Sequence, residues 1–284
     1  MLPPEILDPG RTRLAVLGSP IAHSRSPRLH AAAYRALGLD WSYERFEVAE
    51  GGLAAFLGGL DGAWRGLSLT MPLKREALGL AAAVSPVARL TNAVNTLSFV
   101  GGAVRGWNTD VRGIVAALRT NGVTGPRAPW ILGAGATATS VVAALGRMGA
   151  ARAFVAARRP AQAEGLAGLA GRLGVDVTVI PWDRATRVEG ADLVVNTVPG
   201  WSPEAGLAFA EPVRAGVPLL EVVYDPWPSP LAAGWLDADG HVVSGLDMLL
   251  HQAVAQVRIF VLGDEDAPLP AEPRVVEAMR AALG

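Results

Sequence analysis

The sequence predicts an α/β protein of two domains with largely parallel sheets, and three observations carry that prediction. Short β-branched or Leu-rich runs alternate with Ala-rich helical stretches from end to end, which is how strands joined by crossover helices read. The 284 residues suffice for about two domains at ~100–200 residues each, every one with its own core. The composition, 51% hydrophobic and 18% charged, is apolar beside the roughly 25% charge usual in globular chains, so there is ample surface to bury.

In the first third, Leu14–Leu17, Trp41–Val48 and Gly66–Thr70 read as strands. Between them Ser26-Pro27 introduces a helix over Arg28–Leu37, with Ser26 as its capping hydroxyl and Pro in its first turn. Val111–Asn121 reads as a helix, and Gly122, Gly125 and Pro126 end it and mark a domain boundary. Beyond lie a strand at Trp130–Leu132, a helix at Ala136–Gly149, a strand at Ala153–Val155, a helix at Ala161–Leu173 and a strand at Val175–Ile180. That βαβαβ run is half of a dinucleotide fold. Asp192–Asn196 and Pro218–Val223 supply later strands, and helices at Leu246–Leu262 and Arg274–Leu283 close the chain. With no strand left to pair, those last helices are expected to pack back on the first domain.

Charge and composition exclude several functions. Against 26 acids stand 25 basic residues, for a formal charge of −1, so no broad basic field attracts nucleic acid or an anionic membrane. With no Cys and four His, disulfides and thiolate chemistry are excluded and any zinc centre would need an unusual ligand set; no metal is expected. Met1–Arg13 carries Pro3, Pro4, Glu5, Asp8 and Pro9 where a signal peptide needs a basic start and an apolar run. No uninterrupted apolar stretch reaches the ~18 residues of a membrane span, and the expected location is the cytoplasm.

Gly133-Ala134-Gly135 follows a buried strand and opens a helix at Ala136, so the backbone can approach a pyrophosphate held by helix N-terminal N–H groups. Ala138 takes the third position of the fingerprint, where helix and strand pack closely. The same turn also serves flavin, methyl-donor and purely structural βαβ units. About 20 residues on, a site for a free ribose 2′-hydroxyl would carry an acid, yet the chain reads Ala156-Ala157-Arg158-Arg159-Pro160. Paired guanidiniums suit the 2′-phosphate of NADP.

One of the 25 basic residues is a lysine, Lys74, which leaves 24 Arg. An arginine stays protonated at any useful pH, whereas a partly buried lysine can exchange its proton near neutrality, so position 74 is a candidate acid–base group. Asp110, in Gly106-Trp107-Asn108-Thr109-Asp110, is a candidate partner, and it equally suits a helix N-terminus. Thr91-Asn92-Ala93-Val94-Asn95-Thr96 adds uncharged groups that suit a ligand rich in hydroxyls. Ser24 and Ser26 stand at a strand-to-helix junction and can donate to an anion, although N-capping also accounts for Ser26. His30 reads as packing or surface.

Taken together these stretches resemble the shikimate dehydrogenase family from about Leu14 to Gly263. The segments that carry the likeness are Gly18-Ser19-Pro20-Ile21-Ala22-His23-Ser24-Arg25-Ser26-Pro27, Leu69-Thr70-Met71-Pro72-Leu73-Lys74, Ala93-Val94-Asn95-Thr96 and Asn108-Thr109-Asp110 in the first part. The Gly133 loop, Asn196-Thr197-Val198-Pro199-Gly200, Tyr224-Asp225-Pro226 and Gly245-Leu246-Asp247-Met248-Leu249 with Gln252 follow. The resemblance implies an NADP(H)-dependent, reversible reduction of 3-dehydroshikimate to shikimate on the route to aromatic amino acids, by a monomer or homodimer. It implies Lys74 and Asp110 as the catalytic pair, Ser24 and Ser26 on the substrate carboxylate with Tyr224 nearby, and Thr70, Asn95, Asp110 and Gln252 on ring hydroxyls. Gly133, Ala134, Gly135 and Ala136 would meet the pyrophosphate, Arg158 and Arg159 the 2′-phosphate, and Thr197, Val222 and Gly245 the nicotinamide half. It further implies a substrate domain of residues 1–112 completed by C-terminal helices in 246–284, and a Rossmann-type NADP-binding domain of residues 113–245.

Departures from the family pattern are Ser68 for Asn, Asn92 for Gly, and Trp107 within the Gly-x-Asn-Thr-Asp stretch, which bear on substrate fit. At the cofactor end Ala157-Arg158-Arg159 replaces Asn-Arg-Thr, and Gln162 replaces a later Arg. The alternatives are a quinate/shikimate or amino-shikimate dehydrogenase that prefers NAD, and a non-catalytic dinucleotide sensor.

Overall fold

A computed structural model describes residues 12–200 and 208–284; most of the Met1–Arg13 stretch therefore lies outside the described residues. The chain divides into two compact units, one ending at Thr109 and resuming from Leu249 to Gly284, the other spanning Asp110–Met248. The first unit contains β1 (Arg13–Gly18), α1 (Ser26–Leu37), β2 (Ser42–Glu47), α2 (Leu53–Gly58), β3 (Trp64–Leu69), α3 (Glu76–Leu80), β4 (Ala83–Val84), α4 (Pro86–Thr91), β5 (Thr96–Ser98) and β6 (Arg105–Trp107). The second contains α5 (Asp110–Thr120), β7 (Pro129–Leu132), α6 (Ala136–Arg147), β8 (Arg152–Ala156), α7 (Pro160–Arg172), β9 (Asp176–Ile180), β10 (Leu193–Asn196), α8 (Glu211–Gly216), β11 (Leu219–Glu221), α9 (Pro230–Leu236) and β12 (Val242–Ser244). Helix α10 (Gly245–Leu262) starts in the second unit and continues into the first, which α11 (Glu272–Ala281) completes.

The first unit's six-stranded sheet has the order β2-β1-β3-β5-β6-β4. Its β1, β2 and β3 are parallel, as expected, whereas β5 pairs antiparallel with β3 and β6. β4 pairs parallel with β6, so β5, a strand of three residues with no readable period, is the one antiparallel member of a largely parallel sheet. On one face of the sheet Leu14, Val16 and Tyr43 pack with Leu29 and Tyr34 of α1 and with Leu250, Val257, Phe260, Val275 and Met279 of the last two helices. At Gly66 in β3 a Cβ would strike the Phe260 ring and come within 2.7 Å of the Leu97 carbonyl, so only glycine lets α10 sit this close to the sheet. Phe260 is fully buried, and truncating such a side chain typically costs about 3–5 kcal/mol. Helix α10 has the length and composition to cross a membrane, yet 67% of it is buried within the fold.

Helix α1 begins one residue earlier than its sequence suggests. Arg25 occupies the cap position with φ −89° and ψ −4° and no side-chain cap bond, and Ser26 lies inside the first turn. The capping explanation of Ser26 is thereby corrected.

The second unit's sheet has the order β12-β11-β10-β7-β8-β9, every pair parallel. Counted from β7, that is 3-2-1-4-5-6 read from the other edge, the doubly wound order of dinucleotide folds, whose ligands sit beyond the strand carboxyl ends where the order reverses. The reversal falls between β7 and β10. Strand β12 corrects the expectation that no strand remained before the last helices: Val242–Ser244 is too short to announce itself, yet it pairs with Leu219–Glu221.

Candidate active site

In the first unit, loops at the carboxyl ends of β1 and β3 are tied together. The Ser19 N–H donates to the Met71 carbonyl at 2.9 Å and the Thr70 N–H to the Leu17 carbonyl at 2.9 Å. Thr70 opens the turn that carries Lys74, and the Lys74 carbonyl accepts from the Val94 N–H at 2.8 Å. The next residue, Asn95, is 1% exposed, and its carbonyl accepts from the Leu69 N–H at 2.7 Å. Its side-chain Nδ2 donates to Thr109 Oγ1 at 2.9 Å and to Gln252 Oε1 of α10 at 3.4 Å. Its Oδ1 accepts from the Thr109 N–H at 2.9 Å and from Thr96 Oγ1 at 2.8 Å. The structure thus gathers Thr70, Asn95 and Gln252 around the segment that holds Lys74.

Ser24 and Ser26 share the turn between β1 and α1, where the Ser26 N–H donates to Ser24 Oγ at 3.4 Å. Ser26 is 5% exposed and lies inside the first turn of α1, not at its cap. Asp110, 4% exposed, directly follows Thr109 and opens α5 in the second unit. Tyr224, half-buried after β11, also belongs to the second unit.

Candidate cofactor residues cluster where the order of the parallel sheet reverses. Gly133 follows β7 with φ +98°, and a Cβ there would lie 2.5 Å from Thr197 Oγ1, so both the backbone angle and the close approach require glycine. Thr197, following β10, donates its N–H and Oγ1 to the Leu132 carbonyl at 3.0 and 2.7 Å. Gly135 caps α6 without a side-chain bond, which leaves the helix N–H groups to an incoming anion. Ala134 is buried, Ala136 starts the helix and fully buried Ala138 packs it on the sheet. Arg158 and Arg159 follow β8, both exposed, and the Arg158 guanidinium lies 5.9 Å from the Trp182 ring centre. Val222 donates its N–H to the Asn196 carbonyl at 3.2 Å, and a Cβ on Gly245 would lie 2.7 Å from the Val222 carbonyl carbon. An uncapped helix end, a glycine turn and paired guanidiniums fit a phosphorylated dinucleotide.

Two buried polar groups were not legible as site residues. Glu221, fully buried at the end of β11, accepts from Asn196 Nδ2 at 3.0 and 3.1 Å, from Ser229 Oγ at 2.8 Å and from the Val223 N–H at 3.0 Å. Burial raises its pKa above the ordinary carboxylate range while these bonds pull it down. An acid inside the apolar run Leu219–Val223 was the available signal. Gln256 of α10, 1% exposed, bonds to Ser68, Thr96 and the Asn95 carbonyl.

His30 is fully buried and stacks on Tyr43 at 3.9 Å; burial lowers its pKa from 6.5 to about 3, partly offset by its bond to Gln256. The unfolded chain takes up this proton below about pH 6.5 and the folded chain does not. Stability present above that pH is therefore lost on acidification, by up to about 1.4 kcal/mol per unit. Glu221 acts with the opposite sign, since its folded form binds a proton first. In denaturant titrations between pH 7 and 5, His30→Gln is expected to flatten the wild-type decline; parallel curves would refute this.

The fold and the donor set define a class: two-unit α/β oxidoreductases that use a nicotinamide dinucleotide. The sequence model of the shikimate dehydrogenase substrate binding domain matches residues 16–97. The shikimate dehydrogenase (NADP(+)) of Moorella thermoacetica is 36% identical over 282 residues, 95% of each chain. The solved shikimate dehydrogenase of Mycobacterium tuberculosis superposes with a TM-score of 0.83 at 41% identity, covering 96% of this chain and 98% of that one. That of Thermus thermophilus, solved in complex with NADP(H) and shikimate, gives 0.79 at 34% identity, covering 95% and 99%. The chain belongs to the shikimate dehydrogenase family.

Proposed function

We propose that the chain catalyses the reversible NADPH-dependent reduction of 3-dehydroshikimate to shikimate, in the cytoplasm, on the route to aromatic amino acids, as a monomer or homodimer. The observation that carries the reading is Asn95. Its neighbour Val94 bonds the Lys74 carbonyl, and its own amide bonds Thr109, the residue before Asp110.

Residues 1–112 and 246–284 bind substrate in this reading, and residues 113–245 bind NADP. Ser24 and Ser26 donate to the carboxylate, and Tyr224 also serves the substrate. Thr70, Asn95, Asp110 and Gln252 meet the ring hydroxyls. Gly133 to Ala136 receive the pyrophosphate, Arg158 and Arg159 the 2′-phosphate, and Thr197, Val222 and Gly245 the nicotinamide half. When bound, NADPH supplies a hydride to the ring ketone. Lys74 gives a proton to the oxygen that gains negative charge, so ketone, hydride and proton balance as alcohol. Asp110 orients the ammonium.

An absorbance assay with shikimate and quinate, each with NADP⁺ and NAD⁺, tests the proposal. Shikimate with NADP⁺ is expected to exceed every other pairing at least about tenfold in kcat/KM, the ratio that measures discrimination. Quinate or NAD⁺ matching it would favour the quinate or amino-shikimate alternative. Tight NADPH binding without hydride transfer would identify a sensor.

A further inference from the structure

We infer that Gln256 is a positioning residue that sets the orientation of the Asn95 carboxamide, and so tunes substrate binding without touching substrate. The inference rests on the reading of Asn95 as a contact to the substrate ring.

Gln256 lies one helical turn beyond Gln252 on α10, so both side chains project from the same face. Its Oε1 accepts from Ser68 Oγ at 2.9 Å and faces His30 Nε2 at 3.3 Å. Its Nε2 donates to the Asn95 carbonyl at 3.2 Å and to Thr96 Oγ1 at 3.0 Å.

Proton directions through this network follow from elimination. An amide oxygen only accepts, so His30 donates from Nε2, and its Nδ1 accepts from Tyr34 Oη at 3.0 Å. Ser68, having given its proton to Gln256, accepts from Tyr43 Oη at 2.6 Å. Thr96 Oγ1, receiving from Gln256, passes its own proton to Asn95 Oδ1 at 2.8 Å. That last bond, with the Thr109 N–H, fixes which end of the Asn95 amide is oxygen. The amide nitrogen is then left to point toward Thr109 Oγ1 and Gln252. Every member of this chain belongs to the first unit, and burial keeps the imidazole neutral.

Ser68 on β3 supplies the hydroxyl that holds Gln256 Oε1, which leaves Nε2 turned toward the Asn95–Thr96 segment. Without Gln256, the Asn95 carbonyl keeps only the Leu69 N–H, and the Thr96 hydroxyl loses the donor that aims its own proton at Asn95 Oδ1, so the carboxamide that meets a ring hydroxyl is oriented by the Thr109 N–H alone.

Steady-state kinetics test this with Gln256→Met, which keeps the volume and removes both hydrogen-bonding ends. The expected result is a KM for shikimate raised about tenfold, the size of one well-made buried hydrogen bond, with KM for NADP⁺ unchanged and no further rise in an Asn95→Ala background. Thr96→Val, isosteric and milder, is expected to show the same split about threefold and decides the matter if Gln256→Met does not fold. Phe260→Leu, on the same helix, is the control that lowers Tm without moving either KM. A wild-type KM for shikimate in Gln256→Met, with Asn95→Ala raising it, overturns the inference and leaves the reading of Asn95 standing. Equal rises for shikimate and NADP⁺ also overturn it. If Asn95→Ala itself leaves KM unchanged, the reading of Asn95 fails and the inference falls with it.

Discussion

Lys74→Ala is expected to lower kcat about 10³-fold, in the range of a lost general acid, while KM for shikimate stays within a few-fold of wild type. The reasoning starts from composition: arginine fills every basic position but this one, although an exposed anchoring charge would tolerate either side chain. What arginine cannot do is release a proton to a developing alkoxide at neutral pH. Lys74→Arg should therefore keep the charge and still lose most of the rate. Asp110→Asn should give an intermediate loss, because an amide keeps the shape and part of the hydrogen bonding but not the charge that orients an ammonium. An interaction made only in the transition state lowers kcat and kcat/KM together; a raised KM with kcat intact would instead make Lys74 a simple binding group. A Lys74→Ala enzyme with near wild-type kcat would remove it from the chemistry.

The second large effect concerns the end of β8. Arg158→Asp is expected to lower kcat/KM for NADP⁺ by about 10²–10³-fold, because charge-assisted bonds of ~1.5–3 kcal/mol are lost and a like charge replaces them. For NAD⁺ the value should hold or rise, since a carboxylate suits a free ribose hydroxyl. Trp182 beside the guanidinium contributes a cation–π contact of about 0.5–1 kcal/mol, so Arg158 is steadied before any ligand arrives. Arg159 stands at the cap of α7 without bonding the helix, and Arg159→Ala should show a smaller loss of the same sign. The measurement is kcat/KM for both cofactors, and an equal fall for both would mean the arginines do not read the phosphate.

How far the sequence foretold these results depends on how local each cause is. Strands β7, β8 and β10 are buried apolar runs bounded by glycine or loops, and their places were plain. The glycine turn and the arginines could be read for the same reason: one short segment contains the whole motif. Strands β4, β5, β6 and β12 have two or three residues each, below the length at which alternation is visible; β5 makes the first sheet mixed, and β12 is the edge of the second. Ser26 misled because a hydroxyl before proline looks like a cap, whereas Arg25 takes that place. Gln256 escaped because its partners are remote. Asn95 meets Gln252 at a separation of 157 residues and Gln256 meets Ser68 at 188, and no local pattern encodes such a pairing.

That separation has a consequence for how the protein is born. One face of the β1–β6 sheet is covered in part by α1, and the rest of its cover comes from helices that the ribosome makes last. The nascent chain must hold Leu14, Val16 and Tyr43 with only α1 over them while the whole Asp110–Met248 unit emerges, a delay of about 10–30 s at typical synthesis rates. During that interval the exposed sheet is a natural client for a chaperone, and stop codons that remove α10 should yield aggregates rather than a smaller soluble protein.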